Sequence, residues 1–231
     1  QRVSRRLGLR CSFTPKLSSD QVGNGGHVHF SLRRHGQPVL QGGDGPGGVL
    51  PEGAALISGV LHHLPALLPI ACPLSASYAR LAPSSWSAPY QVWGIENREA
   101  ALRLVPTSVD QVPAHLELKV ADLGANPYLL LGSLQVLAMA ALSEAVPLPE
   151  PVRGDPARVD GTTAAHARLP QSLAEGRTAL ASSAVLSAAM GELLHGSVLD
   201  SIDAEIARCE GLPPDQVIAS TRWWPLVGGL S

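Results

Sequence analysis

Residues 23–32 read GNGGHVHFSL, a glycine-rich turn running into a short alternating segment. Side chains alternate across a strand, so His27, His29 and Ser31 project to one side and Val28, Phe30 and Leu32 to the other. One side is apolar and the other polar, which makes this a half-buried strand with its histidines on an open face. Paired imidazoles suit a divalent metal, and glycine N–H groups suit anionic oxygens. A buried, hydrogen-bonded histidine pair is the other reading of H-x-H taken by itself.

Working outward, residues 8–16 (GLRCSFTPK) alternate like a second strand, and His35-Gly36 suits a turn between paired strands. GGDGPGG at 42–48 is a loop. Pro51 and Glu52 suit a first helical turn, and Ala55, Leu56, Val60, Leu64, Leu67 and Leu68 recur at helical spacing, so a helix is predicted over 51–68, with Pro65 as a kink or an end. His62 and His63 on it are adjacent, about 100° apart, and read as solvated or structural. Residues 75–89, rich in Ser, Ala and Pro, read as a long ordered loop carrying Arg80. Short strands are predicted at 90–95, 101–105 and 114–120, and Asn126-Pro127 opens a helix over 128–145. Its apolar run Tyr128–Leu142 falls short of the roughly 20 residues that cross a bilayer and reads as a buried helix. A linker is expected over 147–170, then helices over 171–195 and 197–210. The predicted elements, short strands interleaved with helices, make the fold class α+β.

The composition supports a real core: 231 residues, 45% apolar and 16% charged. Disorder is excluded. A formal net charge of -2 argues against nucleic acid and against an anionic membrane surface as partners. Cys11, Cys72 and Cys209 show no C-x-x-C spacing, so neither a disulfide framework nor a zinc knuckle is indicated, and a cytoplasmic location fits. Two further constellations carry chemistry. Glu117-Leu118-Lys119 sets a carboxylate and an ammonium on one strand face, an ion pair by default. Arg80, Arg98 and Arg103 are planar donors suited to carboxylate and phosphate oxygens, or to surface ion pairing.

In order, SFTPK (12–16), GNGGHVHFSL (23–32), SYARLAP (77–83), WGIENREAALRL (93–104), ELKVADLGANPYLLL (117–131) and RLPQSLAEGRTAL (168–180) make the chain resemble the glutamine synthetase family. The resemblance implies a curved, mainly antiparallel sheet backed by helices, its concave face carrying His27, His29, Glu117 and Lys119, and an ATP-dependent ligase that phosphorylates the side-chain carboxylate of glutamate and lets an amine displace the phosphate. It implies Mg²⁺ or Mn²⁺ held by His27 and Glu117, and nucleotide phosphates beside His29 and Ser31, with Arg98 and Arg103 on glutamate or the transferring phosphoryl group. Gly23, with Asn24 beside it, is implied to offer backbone to glutamate, and Arg80 to hold the glutamate carboxylate. Asn126-Pro127-Tyr128 is implied to be structural.

Departures bear on the substrate. Val22 stands where ammonia-using members have Asn, with Asn24 displaced along the chain. Lys119 stands where the E-x-R motif has arginine, keeping the charge and losing the bidentate fork, and His115 replaces another arginine. Ammonia-using members read R-L-x-P-G-Y-E-A-P after the arginine; this chain reads RLAPSSWSAPY, with Trp86 and no acid. That glutamate helps bind ammonium and remove its proton, so its absence points to a larger amine and to the γ-glutamyl amine or polyamine ligase branch. Trp86 could wall an amine pocket by cation–π contact. Glutamine formation from ammonia and a non-catalytic structural module are the alternatives. The family's N-terminal β-grasp domain and E-x-E metal strand are absent from these residues, so residues 1–231 are expected to be a partial catalytic domain, inactive by itself, from a parent that forms a homo-oligomeric ring.

Overall fold

The computed structural model describes residues 2–83, 85–108, 112–144, 146–158 and 166–223. Ser84 of the Ser/Ala/Pro-rich loop, Ala145 at the predicted helix end and residues 159–165 of the predicted linker lie outside the described residues.

The histidine strand forms as β1 (Val28–Phe30), and β2 (Arg33–Arg34) pairs with β3 (Gln37–Pro38) in a separate hairpin. The turn falls at His35-Gly36 as expected, with φ of 48° and 81°, the doubly positive geometry of a tight hairpin. β4 (Trp93–Ile95), β5 (Leu102–Val105) and β6 (His115–Leu118) complete the central sheet in the order β1-β6-β5-β4. β1–β6 and β6–β5 are antiparallel and β5–β4 is parallel, so the sheet is mixed within an α+β fold. A parallel pair ordinarily needs a crossover of a dozen or more residues. Here residues 96–101 suffice: Glu96 turns at φ 52°, and Asn97 fastens the loop by donating to the carbonyls of Val152 (2.8 Å) and Gly154 (3.0 Å).

Leu102, Leu104, Leu116 and Leu118 are fully buried on the inner face of the sheet, in one core with α2 (Pro51–Ala71). The helix over 51–68 is thus longer than expected and runs through Pro65 and Pro69. Proline at 65 cannot donate to the Leu61 carbonyl; Gln91 Nε2 donates to it instead, at 2.8 Å, so the freed acceptor is satisfied and the helix continues. α2, not 128–142, is the one helix among the described residues long and apolar enough to cross a membrane, and 72% of that window is buried inside the fold. α2 packs on α4 (Pro127–Ala141), whose first N–H groups, of Tyr128 and Leu129, donate to Asn126 Oδ1 at 3.0 and 3.3 Å.

Other expectations are corrected. Residues 8–16 form no strand: α1 (Arg2–Arg6) precedes them, and the extended chain that follows pairs with no neighbouring strand, being held by single bonds such as Asn24 N to Pro15 O at 2.8 Å. The loop at 75–89 contains the helix α3 (Ser75–Arg80), whose polar composition hides it from a periodicity search. The C-terminal helices are α5 (Leu173–Ala181), α6 (Ala184–Cys209) and α7 (Pro214–Thr221), with the break at 182–183 rather than 196. Ser183 accepts from Leu186 N and starts α6 there, while Gly191, at φ 71° and ψ 168°, is non-helical and divides α6 into two segments across a kink. The linker has neither helix nor strand among its described residues, apart from an isolated Arg168–Tyr90 bridge. It is nonetheless pinned along β4: Val152 N donates to Trp93 O at 2.9 Å, and Trp93 Nε1 to Pro149 O at 2.8 Å.

Candidate functional site

The register of three strands builds the site. His29 stands opposite Glu117, and Glu117 opposite Arg103, on the face away from the leucine core. Glu117 is 3% exposed, and the groups gathered round its carboxylate explain how a charge persists there. His27 Nδ1 lies 2.6 Å from Oε1, and His29 Nε2 lies 3.7 Å from the same oxygen. Arg103 Nε lies 2.6 Å from Oε2, although neither atom finds a hydrogen bond of acceptable angle; the contact is ionic and Oε2 keeps acceptor capacity.

His27 is half-exposed, and burial, followed by the neighbouring Lys119 ammonium, lowers its pKa below that of an ordinary imidazole. Its neutral form, the one that ligates, is favoured. Lys119 is buried on the same face, its pKa lowered by burial against the pull of Glu117, with Arg103, Glu99 and exposed Arg98 as further charged neighbours. Ser31 is exposed just beyond β1. Two carboxylates, Glu117 and Glu99, thus stand among three cationic side chains, Arg98, Arg103 and Lys119, an excess of positive charge that attracts an anion.

A second cluster lies at the glycine turn. Arg80 is 4% exposed; its Nη2 donates to the carbonyls of Val120 and Ala121 and lies 3.7 Å from Cys72 Sγ, while its Nε has no partner. A Cβ on Gly23 would fall 2.1 Å from Arg80 Cγ, and one on Gly25 3.2 Å from Nη1, so both glycines make room for this side chain. Asn24 is fixed through its N–H to Pro15 O at 2.8 Å. Trp86 is 69% exposed at φ 53°. Two participants escaped the sequence reading as site members. His115 stacks obliquely on His29 with ring centroids 5.1 Å apart, and buried Asp122 is electrostatically coupled to Arg80. Their presence inside or beside the ELK segment was the available signal.

One imidazole and one carboxylate fit two positions of a divalent cation. Cis donors of an octahedral Mg²⁺ stand about 3.0 Å apart, so the His27–Glu117 pair would open by only a few tenths of an ångström. Among the described residues no group of three or more His, Cys, Asp or Glu side chains is arranged to hold a metal, so a full coordination shell needs donors from elsewhere.

A family model for the glutamine synthetase catalytic domain matches residues 1–218. The chain is 42% identical over 226 residues to gamma-glutamylpolyamine synthetase GlnA3 of Streptomyces coelicolor, covering 96% of this chain and 48% of that protein. It is 33% identical to a glutamine synthetase of Frankia alni over 66% of this chain and 32% of that protein. Among solved structures, a novel glutamine synthase homolog superposes with a TM-score of 0.82 at 31% identity, over 96% of this chain and 50% of that one. Apo GmaS superposes at 0.79 and 27% identity, over 95% and 50%. The chain therefore spans about half, or less, of the length of these relatives.

Proposed function

The chain belongs to the glutamine synthetase family, and from that premise we propose that the protein carrying it is an ATP-dependent ligase joining glutamate to an organic amine. The observation that carries the proposal is the buried Glu117 carboxylate held between His27 and Arg103 on a cationic face. In this reading the glutamate side-chain carboxylate attacks the γ-phosphorus of ATP, releasing ADP and forming γ-glutamyl phosphate. The amine then attacks the acyl carbon and phosphate leaves.

His27 and Glu117 would hold Mg²⁺ or Mn²⁺, which when bound neutralises charge on the transferring phosphoryl oxygens. Arg103, Arg98 and Lys119 add fixed positive charge around the same oxygens, where preorganised donors act most strongly. His29 and Ser31 face the nucleotide phosphates. Arg80, held by two carbonyls through Nη2 with its Nε buried and unpartnered, is the guanidinium proposed to hold the glutamate carboxylate, and Gly23 lets the chain pass beside it. The amine preference is supported by the name of the 42% identical relative and by a flap, residues 81–90, with no acidic residue. Exposed Trp86 on that flap offers an aromatic face to a cationic amine. Donors outside these residues complete the metal shell, and assembly into a homo-oligomeric ring is part of the proposal.

Phosphate release from ATP by the protein, with glutamate and Mg²⁺, is compared across ammonium, ethanolamine, putrescine and spermine, beside a His27→Ala control. The reading requires turnover with an organic amine that the control loses. Preference for ammonium would make the enzyme a glutamine synthetase proper, and no turnover with any acceptor would make this region a non-catalytic module.

A further inference from the structure

α3 is a short helix that stands where a loop was expected, and it ends on Arg80. Six residues are too few to hold a helix by their own hydrogen bonds. Its start is also poorly provided, since its N-cap residue Leu74 offers no side-chain acceptor. The acceptor comes from far along the chain: Glu205 Oε1, on α6, takes the N–H of Ser75 at 3.1 Å. Glu205 is 6% exposed and gripped by Arg208, whose Nε and Nη2 donate to Oε2 and Oε1 at 2.7 and 2.8 Å. Arg208 Nη1 in turn donates to Ser220 Oγ on α7 at 2.9 Å. At the other end of α3, Arg80 is fastened to the Val120 and Ala121 carbonyls beyond β6.

We propose that Glu205, locked by Arg208, is a positioning residue: it caps α3 from across the fold and so sets where the Arg80 guanidinium lies. The proposal rests on the ligase reading for what Arg80 binds, but the clamp itself stands on the geometry of α3, α6 and α7. A carboxylate on the first N–H of a helix both satisfies an orphan donor and complements the helix dipole. With the cap gone, the first turn of α3 loses its tie to α6, and the strain of its displacement is passed along the helix to Arg80, whose tip is held by the Val120 and Ala121 carbonyls.

The test uses three variants of the whole protein, each checked for fold by circular dichroism and melting temperature. Glu205→Ala removes the acceptor. Glu205→Gln keeps Oε1 as an amide oxygen. Ser75→Pro removes the donor instead, at a first helical position where proline is tolerated and after an extended Leu74 (φ -107°, ψ 146°) that accommodates it. Glu205→Ala and Ser75→Pro are expected to raise KM for glutamate roughly fivefold, the size of losing one N-terminal cap, with kcat and KM for ATP unchanged, while Glu205→Gln, which keeps the acceptor for Ser75 N–H but loses the Arg208 Nε bond to Oε2, falls between them and the parent.

Labelling of Cys72, fully buried against Arg80, read by peptide mass, is expected to accelerate in the same two variants. Unchanged KM and unchanged Cys72 labelling in folded Ser75→Pro would overturn the proposal, as would an equal loss of every kinetic parameter in all three variants. If the parent shows no glutamate-dependent turnover, the ligase reading fails, and Cys72 labelling alone decides the clamp. Should Glu205→Ala not fold, Ser75→Pro against Glu205→Gln decides in its place.

Discussion

Gly23→Ala tests the packing that joins the glycine turn to Arg80. No unusual backbone angle is involved at Gly23; the obstacle is space. An added Cβ would lie 2.1 Å from Arg80 Cγ, 2.5 Å from Cδ and 2.8 Å from the Pro15 carbonyl oxygen. Neither neighbour yields easily, because Arg80 is tied at its tip to two carbonyls and Pro15 O accepts from Asn24 N at 2.8 Å. Overpacking of this kind costs about 1–3 kcal/mol, offset by up to about 1 kcal/mol from the stiffer unfolded chain. A net loss of about 1.5 kcal/mol lowers Tm by about 4 °C in a chain of this size. Gly132→Ala, within α4 and with nothing within 4 Å, is the opposite case. It is expected to gain about 0.5–1 kcal/mol and raise Tm by about 2 °C. Both are read by reversible thermal unfolding followed by circular dichroism. Gly23→Ala melting with the parent, or both variants moving in the same direction, would refute the reasoning.

Glu117→Gln keeps the shape of the side chain but removes the charge that holds His27 and Arg103, so phosphate release is expected to fall at least about 100-fold while the fold persists; steady-state rates with circular dichroism check this. Trp86→Ala, at an exposed position, should change stability by less than about 0.5 kcal/mol and raise KM for an organic amine roughly threefold through a lost cation–π face, measured beside KM for glutamate. Burial raises the Asp122 pKa above its unfolded value, so its stabilising contribution is present below the unfolded pKa and is lost as pH rises through the folded one. Asp122→Asn, which keeps an oxygen for the Gly124 N–H, should therefore gain on the parent in Tm as pH rises from about 4 to 7, the direction linkage requires.

The polar-apolar alternation at 27–32, the turn at His35-Gly36 and the cap at Asn126 were legible because each is a local rule with a local cause. Glu117 beside His27 was legible only through the family resemblance, since the pairing of β1 with β6 joins segments far apart in sequence. The α2 overrun was hidden because the group that rescues it, Gln91, lies on another segment. α3 was hidden for a similar reason: its cap is on α6, and SASYAR has no apolar period. Residues 8–16 misled in the other direction, since alternation marks an extended chain whether or not a partner strand is present to make it a sheet.

The central claim is most directly tested by the mass of the product formed from glutamate, ATP, Mg²⁺ and spermine by the protein carrying this chain. The account predicts a γ-glutamyl amide of spermine appearing in step with ADP and phosphate, abolished by Glu117→Gln. Glutamine as the product when ammonium is supplied, with no spermine adduct, would contradict it.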